Sequence, residues 1–389
     1  MSSGSSEMRR LTLCLVTLVL AGTASAEQVA PPRPSAAMVA QGVAEKTPEK
    51  KPPAKKPAVK SPPARDLFGT VESPAPIAAR AIGSYAKGCL AGGSALPITG
   101  PNWQVMRLSR NRNWGHPRLL DYMERLASDA RALDGWPGLL VGDMAQPRGG
   151  PMLNGHSSHQ IGLDADIWLT PMPDRILTPE EREDVTAVSM LKDPFTVDPD
   201  IWTPEHTKLI RRAATYPQVS RIFVHPAIKK KLCETAGKDR AFLRKVRPWW
   251  NHYYHFHVRL SCPPGLEGCE NQAPVGAEDG CGAELKNWYV MLKSAAIAAA
   301  KPAKPGAKPW KGKPPLTMAQ LPRECGTVLK AGGHAPVIAD AATMPAALRI
   351  AAGKDAGPPL PKLDPAALAA LVNGGSIGGM PLPERNPKR

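Results

Sequence analysis

Apolar residues in the middle of the chain recur with the period of an α-helix. Between residues 116 and 136 they stand at alternating intervals of four and three, at Leu119, Met123, Leu126, Ala130 and Leu133. This spacing places them on one face, so we predict an amphipathic helix. Threonine followed by proline predicts two further helix starts, at Thr178 with a capping box and at Thr203, with the second helix running to about Ala214.

Four short runs between these helices have the length and composition of β-strands. They are residues 138–144, 163–169, 221–228 and 253–260. Because helices interrupt them without regular βαβ spacing, we predict an α+β fold. The expected architecture is a small central antiparallel sheet, flanked by helices and long loops and stapled by disulfides.

The N-terminal region has the features of an export signal. Residues 1–26 combine Arg9 and Arg10 with an apolar run, residues 11–21, that is too short to span a membrane. Ala24-Ser25-Ala26 follows as a small-residue cleavage site, so cleavage is expected after Ala26. The mature protein is therefore expected to be periplasmic, without stable membrane insertion.

Composition divides the rest of the chain into a core and two flanks. Proline, lysine and alanine dominate residues 27–66, which are expected to form a disordered tether. The folded domain is expected over residues 67–330, with a low-complexity Lys/Pro insert at about 297–316. Residues 331–389 are expected to be a disordered tail, apart from one helix near 365–372.

The positive charge of the chain is concentrated in these flanks. The formal net charge is +16, yet residues 67–300 carry 27 basic and 24 acidic side chains. Residues 27–66 carry 8 basic and 4 acidic side chains, and residues 301–389 carry 13 basic and 5 acidic side chains. A basic folded face that reads nucleic acid is therefore disfavoured. The flanks are interpreted as solvated tethers for an anionic surface.

Six cysteines remain after the signal, which suits an oxidising compartment. They are Cys89, Cys233, Cys262, Cys269, Cys281 and Cys325. An even number in an exported chain predicts three disulfides, and fifteen pairings are open at this point. The absence of a C-x-x-C pair disfavours a cysteine zinc ribbon.

Histidines and aspartates cluster in two short windows, GHSSHQIGLDADIW at residues 155–168 and NHYYHFH at residues 251–257. In the first, Gly162 permits a bend between His159 and Asp166, and Asp164 shares a strand face with Asp166. Ligands of these types are the ones that zinc binds, so a metal site is predicted. Asp164 is interpreted as a support for a ligand.

The second window supplies further imidazoles. His255 and His257 lie on one face of the predicted strand, which presents both to the same side. His252 has the opposite parity, so it either enters from a bend or belongs to the core. The remaining histidines, His116, His206, His225 and His334, are interpreted as surface or structural residues.

These two windows resemble the lysostaphin, D-Ala-D-Ala peptidase and hedgehog group of zinc proteins, through S-x-H-x-x-G-x-x-x-D and H-x-H. The longer run VGDMAQPRGGPMLNGHSSHQIGLDADIW, with NHYYHFHVRLSCP, resembles the penicillin-insensitive murein endopeptidases. The similarity covers roughly residues 80–330. It implies Zn²⁺ held by His159, Asp166 and His257, and cleavage of D-alanyl–meso-diaminopimelyl cross-links in peptidoglycan.

The resemblance also implies the roles of other residues. It places His255 beside the metal. Two residues from a ligand on the same strand face, His255 could act either as a base or as a donor to the developing oxyanion, and His252 could either orient His255 or carry a second proton. His156 matches a further histidine of the family motif, expected at a second metal or a subunit contact, and a homodimer is a further expectation. The implied disulfides are Cys89–Cys325, Cys233–Cys281 and Cys262–Cys269.

Two other functions remain open from the sequence. A zinc D-Ala-D-Ala carboxypeptidase or dipeptidase would use the same ligands and would need a cation, such as Arg148 or Arg259, to hold a free carboxylate. A catalytically silent zinc protein that binds peptidoglycan would retain the ligands without turnover. The absence of HExxH disfavours the mechanism in which a glutamate on that helix acts as the base. The absence of a serine nucleophile motif in a suitable context disfavours a serine mechanism, and this fits insensitivity to β-lactams because those drugs acylate a serine.

Overall fold

The computed structural model describes residues 61–301, 306, 313–332 and 357–372. They belong to the compact unit Val59–Arg389. The predicted signal peptide, residues 27–60 of the predicted tether and most of the predicted tail lie outside the described residues. None of the helices formed by described residues is both long enough and apolar enough to cross a membrane.

Eight α-helices are formed by the described residues. They are α1 (Ala64–Phe68), α2 (Pro117–Asp134), α3 (Pro179–Asp184), α4 (Pro204–Thr215), α5 (Pro226–Thr235), α6 (Ala283–Ala300), α7 (Glu324–Lys330) and α8 (Pro365–Val372). The three helices predicted from spacing and capping correspond to α2, α3 and α4. The predicted C-terminal helix corresponds to α8.

Thirteen β-strands are formed by the same residues, and several are only two or three residues long. They are β1 (Arg80–Ser84), β2 (Lys87–Ala91), β3 (Ser94–Ala95), β4 (Thr99–Gly100), β5 (Trp103–Val105), β6 (Trp114–Gly115), β7 (Leu139–Val141), β8 (Asp164–Trp168), β9 (Leu191–Asp193), β10 (Thr196–Val197), β11 (Val219–Val224), β12 (Val246–Pro248) and β13 (His255–Leu260).

The largest sheet has seven strands in the order β12-β11-β13-β8-β7-β5-β4. Its centre is antiparallel, as predicted, because β13 pairs in that sense with both β11 and β8. The whole sheet is larger than predicted and mixed, since β5 runs parallel to β7 and β11 runs parallel to β12. Helices α2 and α5 lie between the strands of these pairs along the chain, the kind of crossover that parallel neighbours require. The α+β class is confirmed.

Two local predictions were wrong. The strand predicted at 221–228 ends at Val224, because His225 caps α5 and Pro226 is its first residue. Leu133, assigned to the buried face of α2, is 63% exposed. The last turn of that helix is instead held by Asp134, whose carboxylate pairs with Arg212 of α4 at 2.8 Å.

Three disulfides hold segments that are distant along the chain. They are Cys89–Cys325, Cys233–Cys281 and Cys262–Cys269, the pairing that the resemblance implies. Cys89–Cys325 ties β2 to α7 inside a small apolar cluster that also contains Phe68. The domain boundary expected at residue 66 therefore falls inside α1, which belongs to the fold.

Candidate metal centre

The pairing of β8 with β13 brings the two histidine and aspartate windows together. Asp166 lies directly opposite His257 in the register of these strands. The alternation of a strand then places Asp164 beside Asp166 on one side and His255 beside His257 on the other. All four side chains are buried. The shared faces predicted from the sequence are therefore present.

His159 enters this site from the loop before β8. Its φ of 64° is left-handed, and its backbone N–H donates to Asp164 Oδ2 at 3.0 Å. Gly162, three residues later, has a φ of 72°, and a Cβ there would lie 2.8 Å from the Leu90 side chain and the His116 backbone nitrogen. Glycine is thus required for the bend that aims His159 at the strand.

Three side-chain atoms converge at the centre of the site. His159 Nε2 lies 3.2 Å from His257 Nδ1 and 3.5 Å from Asp166 Oδ1. His257 Nδ1 lies 3.3 Å from the same carboxylate oxygen. Ligands at about 2.0–2.2 Å from a tetrahedral zinc are themselves about 3.3–3.6 Å apart. The spacing of these three atoms therefore suits a single zinc ion.

The polar atoms of the centre also fit a bound cation. Among the described residues, no hydrogen-bond partner reaches the buried Asp166 Oδ1. Burial alone would raise the pKa of Asp166, but His255, His159 and the other imidazoles around it hold the pKa well below its ordinary value. A buried, ionised carboxylate oxygen without a hydrogen bond is rare unless a cation meets it. Two further ligand sets share Asp166, one with His156 and His159 and one with His252 and His257.

Asp164 supports the centre without pointing into it. Its Oδ1 accepts a hydrogen bond from His257 Nε2 at 2.9 Å and another from Arg259 Nε at 2.7 Å. Burial would raise the pKa of Asp164, but Arg259 and His257 lower it far below its usual range. Because the carboxylate holds the proton of His257 on Nε2, the other ring nitrogen, Nδ1, is left free to bind a metal.

His255 lies beside the three converging atoms. Its Nε2 is 3.6 Å from Asp166 Oδ2, and no hydrogen bond from a described residue reaches its Nδ1. Burial lowers the pKa of His255 to about 3, against the opposing effect of Asp166. The imidazole is therefore neutral at neutral pH.

His252 enters from a bend, one of the two alternatives that its parity left open. Asn251 and His252 both have positive φ, at 61° and 51°. The ring of His252 packs 4.8 Å from that of His255, and its Nδ1 lies 2.6 Å from the Trp250 carbonyl oxygen. A carbonyl only accepts, so Nδ1 carries the proton and Nε2 of the neutral ring is an acceptor. Burial lowers the pKa of His252, which favours this neutral form.

A second carboxylate, Asp143, was not singled out from the sequence. His156 Nε2 lies 2.9 Å from Asp143 Oδ2 and 3.6 Å from Asp166 Oδ2. Arg112 and Arg110 bind the same Asp143 oxygen at 2.8 and 3.0 Å. Asp143 stands two residues after β7, inside the run GLLVGDM that was predicted as a strand, and a carboxylate in that otherwise apolar run was the available signal.

The centre opens into a cleft of about 640 Å³. Its walls include Trp249 and Trp250 of the loop before β13, which are 51% and 39% exposed. Both indoles pack against Trp288 of α6, at centroid distances of 5.8 and 5.4 Å. Neither tryptophan was predicted to line the site. A cleft of this size accommodates a peptide beside the converging ligands.

Comparison with known proteins assigns this chain to a family. The family model described as penicillin-insensitive murein endopeptidase matches residues 81–330. This chain belongs to that family. The murein endopeptidase of Haemophilus influenzae is 51% identical over 210 residues, which are 54% of this chain and 72% of the relative.

Two other relatives in the family cover more of the chain. The penicillin-insensitive murein endopeptidase of Klebsiella pneumoniae is 42% identical over 252 residues, 64% of this chain and 86% of the relative. The penicillin-insensitive murein endopeptidase of Escherichia coli is 42% identical over 261 residues, which are 67% of this chain and 89% of the relative. The family therefore defines this chain as a peptidase whose relatives are named for murein.

Neither arginine suggested as a carboxylate clamp is free for that purpose. Arg148 donates to the backbone carbonyls of Ser73, Val328, Leu329 and Ala331, and so anchors the end of α7. Arg259 is bound to Asp164 and to Gln272. The specific feature that would favour a carboxypeptidase over an endopeptidase is therefore missing at these two positions.

The histidines interpreted as structural have structural roles where they are described. His116 and His225 cap α2 and α5, each accepting a backbone N–H through Nδ1. His206 completes the cap of α4 with Thr203 and contacts the Leu169 carbonyl. His334 lies outside the described residues. A histidine before proline is thus a helix cap twice in this chain.

Proposed function

We propose that the protein is a zinc-dependent murein endopeptidase that hydrolyses D-alanyl–meso-diaminopimelyl cross-links in peptidoglycan. The observation that carries the proposal is the convergence of His159 Nε2, Asp166 Oδ1 and His257 Nδ1 within 3.5 Å of one another. Family membership supplies the reaction class, since the relatives are named for murein endopeptidase activity. His156, held by Asp143, is proposed as an accessory residue at a second metal or a subunit contact.

The proposed place of action is the periplasm. Peptidoglycan lies outside the cytoplasmic membrane, and three disulfides suit an oxidising compartment. The sequence of residues 1–26 adds the features of a cleavable signal. The proposed partners are the cross-link peptides of peptidoglycan; no nucleic acid is invoked, and a homodimer stays a prediction.

His159, Asp166 and His257 would hold the ion, and Asp164 would fix the tautomer of His257. Bound zinc would supply a water of lowered pKa and polarise the scissile carbonyl. The remaining work falls to two neutral imidazoles. His252 Nε2 is an acceptor, so we assign it the proton of the attacking water, which it then passes to the leaving amine.

His255 has a different assignment in the same site. Its ring lies beside the three converging atoms, with Nε2 3.6 Å from Asp166 Oδ2, and burial lowers its pKa, so the neutral form with one N–H donor prevails. We therefore assign it to the oxyanion that develops on the scissile carbonyl. Preorganised donors of this kind act strongly because a buried site excludes water.

The decisive experiment is the conversion of purified muropeptide dimers by the mature protein. We expect conversion to monomers, loss of conversion with a chelator, and recovery when zinc is added. Released free D-Ala without monomers would instead show a carboxypeptidase. Zinc-loaded protein that binds dimers and leaves them intact would show a silent binding protein, and either result would overturn the proposal.

A further inference from the structure

A segment near the C-terminus reaches the same cleft as the metal centre. Gly357, Pro358 and Pro359 line this cleft together with His252 and His255. The family model ends at residue 330, so the segment lies outside the matched region. It therefore reaches the cleft from outside the part of the chain that the family model covers.

The segment is anchored by apolar packing away from the cleft. Helix α8 packs on α6, and Leu371 of α8 is fully buried. Leu371 joins a cluster with Phe195, Leu285 and Tyr289, against which Leu363 also packs. A fully buried leucine stabilises the folded state relative to an exposed one. The anchor is therefore part of the folded domain.

At the cleft, the segment contacts the residues that precede His255. The Tyr253 hydroxyl donates to the Pro358 carbonyl oxygen. Gly357 lies against the ring of Tyr254, where a Cβ would stand 2.0 Å from Cε1. Pro358 is buried by these contacts, whereas Pro359 is exposed toward solvent. The chain thus fits closely at 357–358 and presents a proline ring at 359.

We propose that Gly357, Pro358 and Pro359, held in place by the α8 anchor, form a wall of the substrate cleft, in which Pro359, seated beside the buried Pro358, contacts the peptide part of the bound cross-link. This inference rests on the proposed function and names a specificity element for it. The cleft keeps about 640 Å³ with the segment in place, so the segment borders the cleft and does not fill it. The buried Leu371 anchor suits a permanent wall better than a strap that must leave.

The chemistry of the segment suits an extended peptide ligand. Proline has a fixed φ and no backbone N–H, so Pro359, backed by the buried Pro358, offers a rigid apolar ring and no competing donor. A rigid surface loses little entropy on binding, so its contacts contribute to affinity. Removing both proline rings is expected to weaken substrate binding more than turnover.

The test replaces both prolines and measures kinetics with purified muropeptide dimers. For Pro358→Gly with Pro359→Gly in the full chain, we expect KM to rise at least about fivefold, equivalent to about 1 kcal/mol of binding, with kcat within about twofold. The control is Pro361→Gly, in the same segment but outside the cleft lining, which is expected to leave both constants unchanged. An unchanged KM in the double variant would overturn the wall. A rise in kcat/KM would also overturn it, because it would show that the segment obstructs the substrate.

A binding measurement separates failure of this inference from failure of the proposed function. In a zinc-loaded His255→Ala background, calorimetry gives the Kd of the uncleaved dimer with and without the two proline replacements. We expect the replacements to raise Kd about fivefold. If wild-type protein leaves dimers intact while this difference holds, the proposed function fails and the wall stands. If wild-type protein cleaves dimers while Kd and KM are unaffected, only the wall fails.

Discussion

At the scale of the residue, Asp164 shows how a buried carboxylate fixes a neighbouring ligand. It accepts from His257 Nε2 and from Arg259, and it also receives the backbone N–H of His159. One side chain therefore orients the imidazole of His257, fixes the backbone of His159 and neutralises a buried guanidinium. Its removal should affect metal binding and folding together.

We predict that Asp164→Ala lowers zinc affinity by about 10–100-fold, because His257 loses the acceptor that holds its tautomer. The free energy of unfolding should fall by about 3–5 kcal/mol, because Arg259 is left buried without its carboxylate. Chelator competition and chemical denaturation measure the two effects. Asp164→Asn, which keeps an oxygen acceptor, should lie between wild type and alanine. Wild-type zinc affinity in the alanine variant would contradict this role.

The proposed roles of His159 and His255 separate in a paired experiment. His159→Ala removes a ligand, so we expect loss of bound zinc and of dimer cleavage. His255→Ala leaves all three proposed ligands, so we expect zinc content close to one per chain and a loss of kcat of about 10²–10³-fold. Metal analysis and dimer kinetics on the same samples test both. A zinc-free His255→Ala variant would move that residue into the ligand set.

At the scale of the element, the parity of β8 and β13 could be derived from the sequence. Alternation within DADIW and HFHVRL placed Asp164 with Asp166 and His255 with His257, and the structure has both arrangements. The register that sets His257 against Asp166 could not be derived, because it depends on pairing across about ninety residues. The family resemblance supplied the ligand set that strand parity alone left open.

Other elements were misjudged for local reasons. His225-Pro226 has apolar neighbours typical of a strand, yet proline sets the first turn of α5. The parallel pairs β5–β7 and β11–β12 are connected by crossovers through α2 and α5. Three of these four strands, β5, β7 and β12, are only three residues long. Strands that short carry little periodic signal. Asp143, two residues after the end of β7, was missed although the strand itself was predicted, because its contact with His156 depends on tertiary packing.

The disulfide between β2 and α7 is expected to contribute most to the stability of these elements. Cys89–Cys325 closes a span of 236 residues, whereas Cys262–Cys269 closes a span of 7. The chain-entropy relation gives about 5 kcal/mol for the long loop and about 2 kcal/mol for the short one. Cys89→Ser with Cys325→Ser should therefore lower the midpoint of denaturation more than Cys262→Ser with Cys269→Ser. Equal losses in non-reducing denaturation would contradict this ranking.

At the scale of the whole molecule, composition located the flanks but did not reveal their contacts. Residues 331–389 are rich in alanine, proline and glycine, which predicted little fixed structure beyond one helix. Within that range, Leu371 is buried on the domain and Pro358 lies at the cleft. These contacts depend on apolar surface that α6 and the Tyr253 loop present, and α6 itself was not predicted. The spacing of apolar residues within a low-complexity segment does not reveal which surface of the domain the segment packs against.

The excess charge of the flanks should govern attachment to peptidoglycan and leave catalysis on soluble substrate unchanged. Eleven lysines stand in residues 46–60 and 301–313, whereas the core is nearly balanced. Peptidoglycan carries free carboxylates, and attraction between solvated charges is screened as salt rises. We predict that replacing these lysines with glutamine reduces cosedimentation with purified sacculi several-fold at low salt, while kcat/KM on soluble dimers is retained. The matched variant with eleven arginines keeps the charge and should sediment like wild type. Sacculus binding that is insensitive to salt, or equal in the glutamine and arginine variants, would rule out an electrostatic role for the flanks.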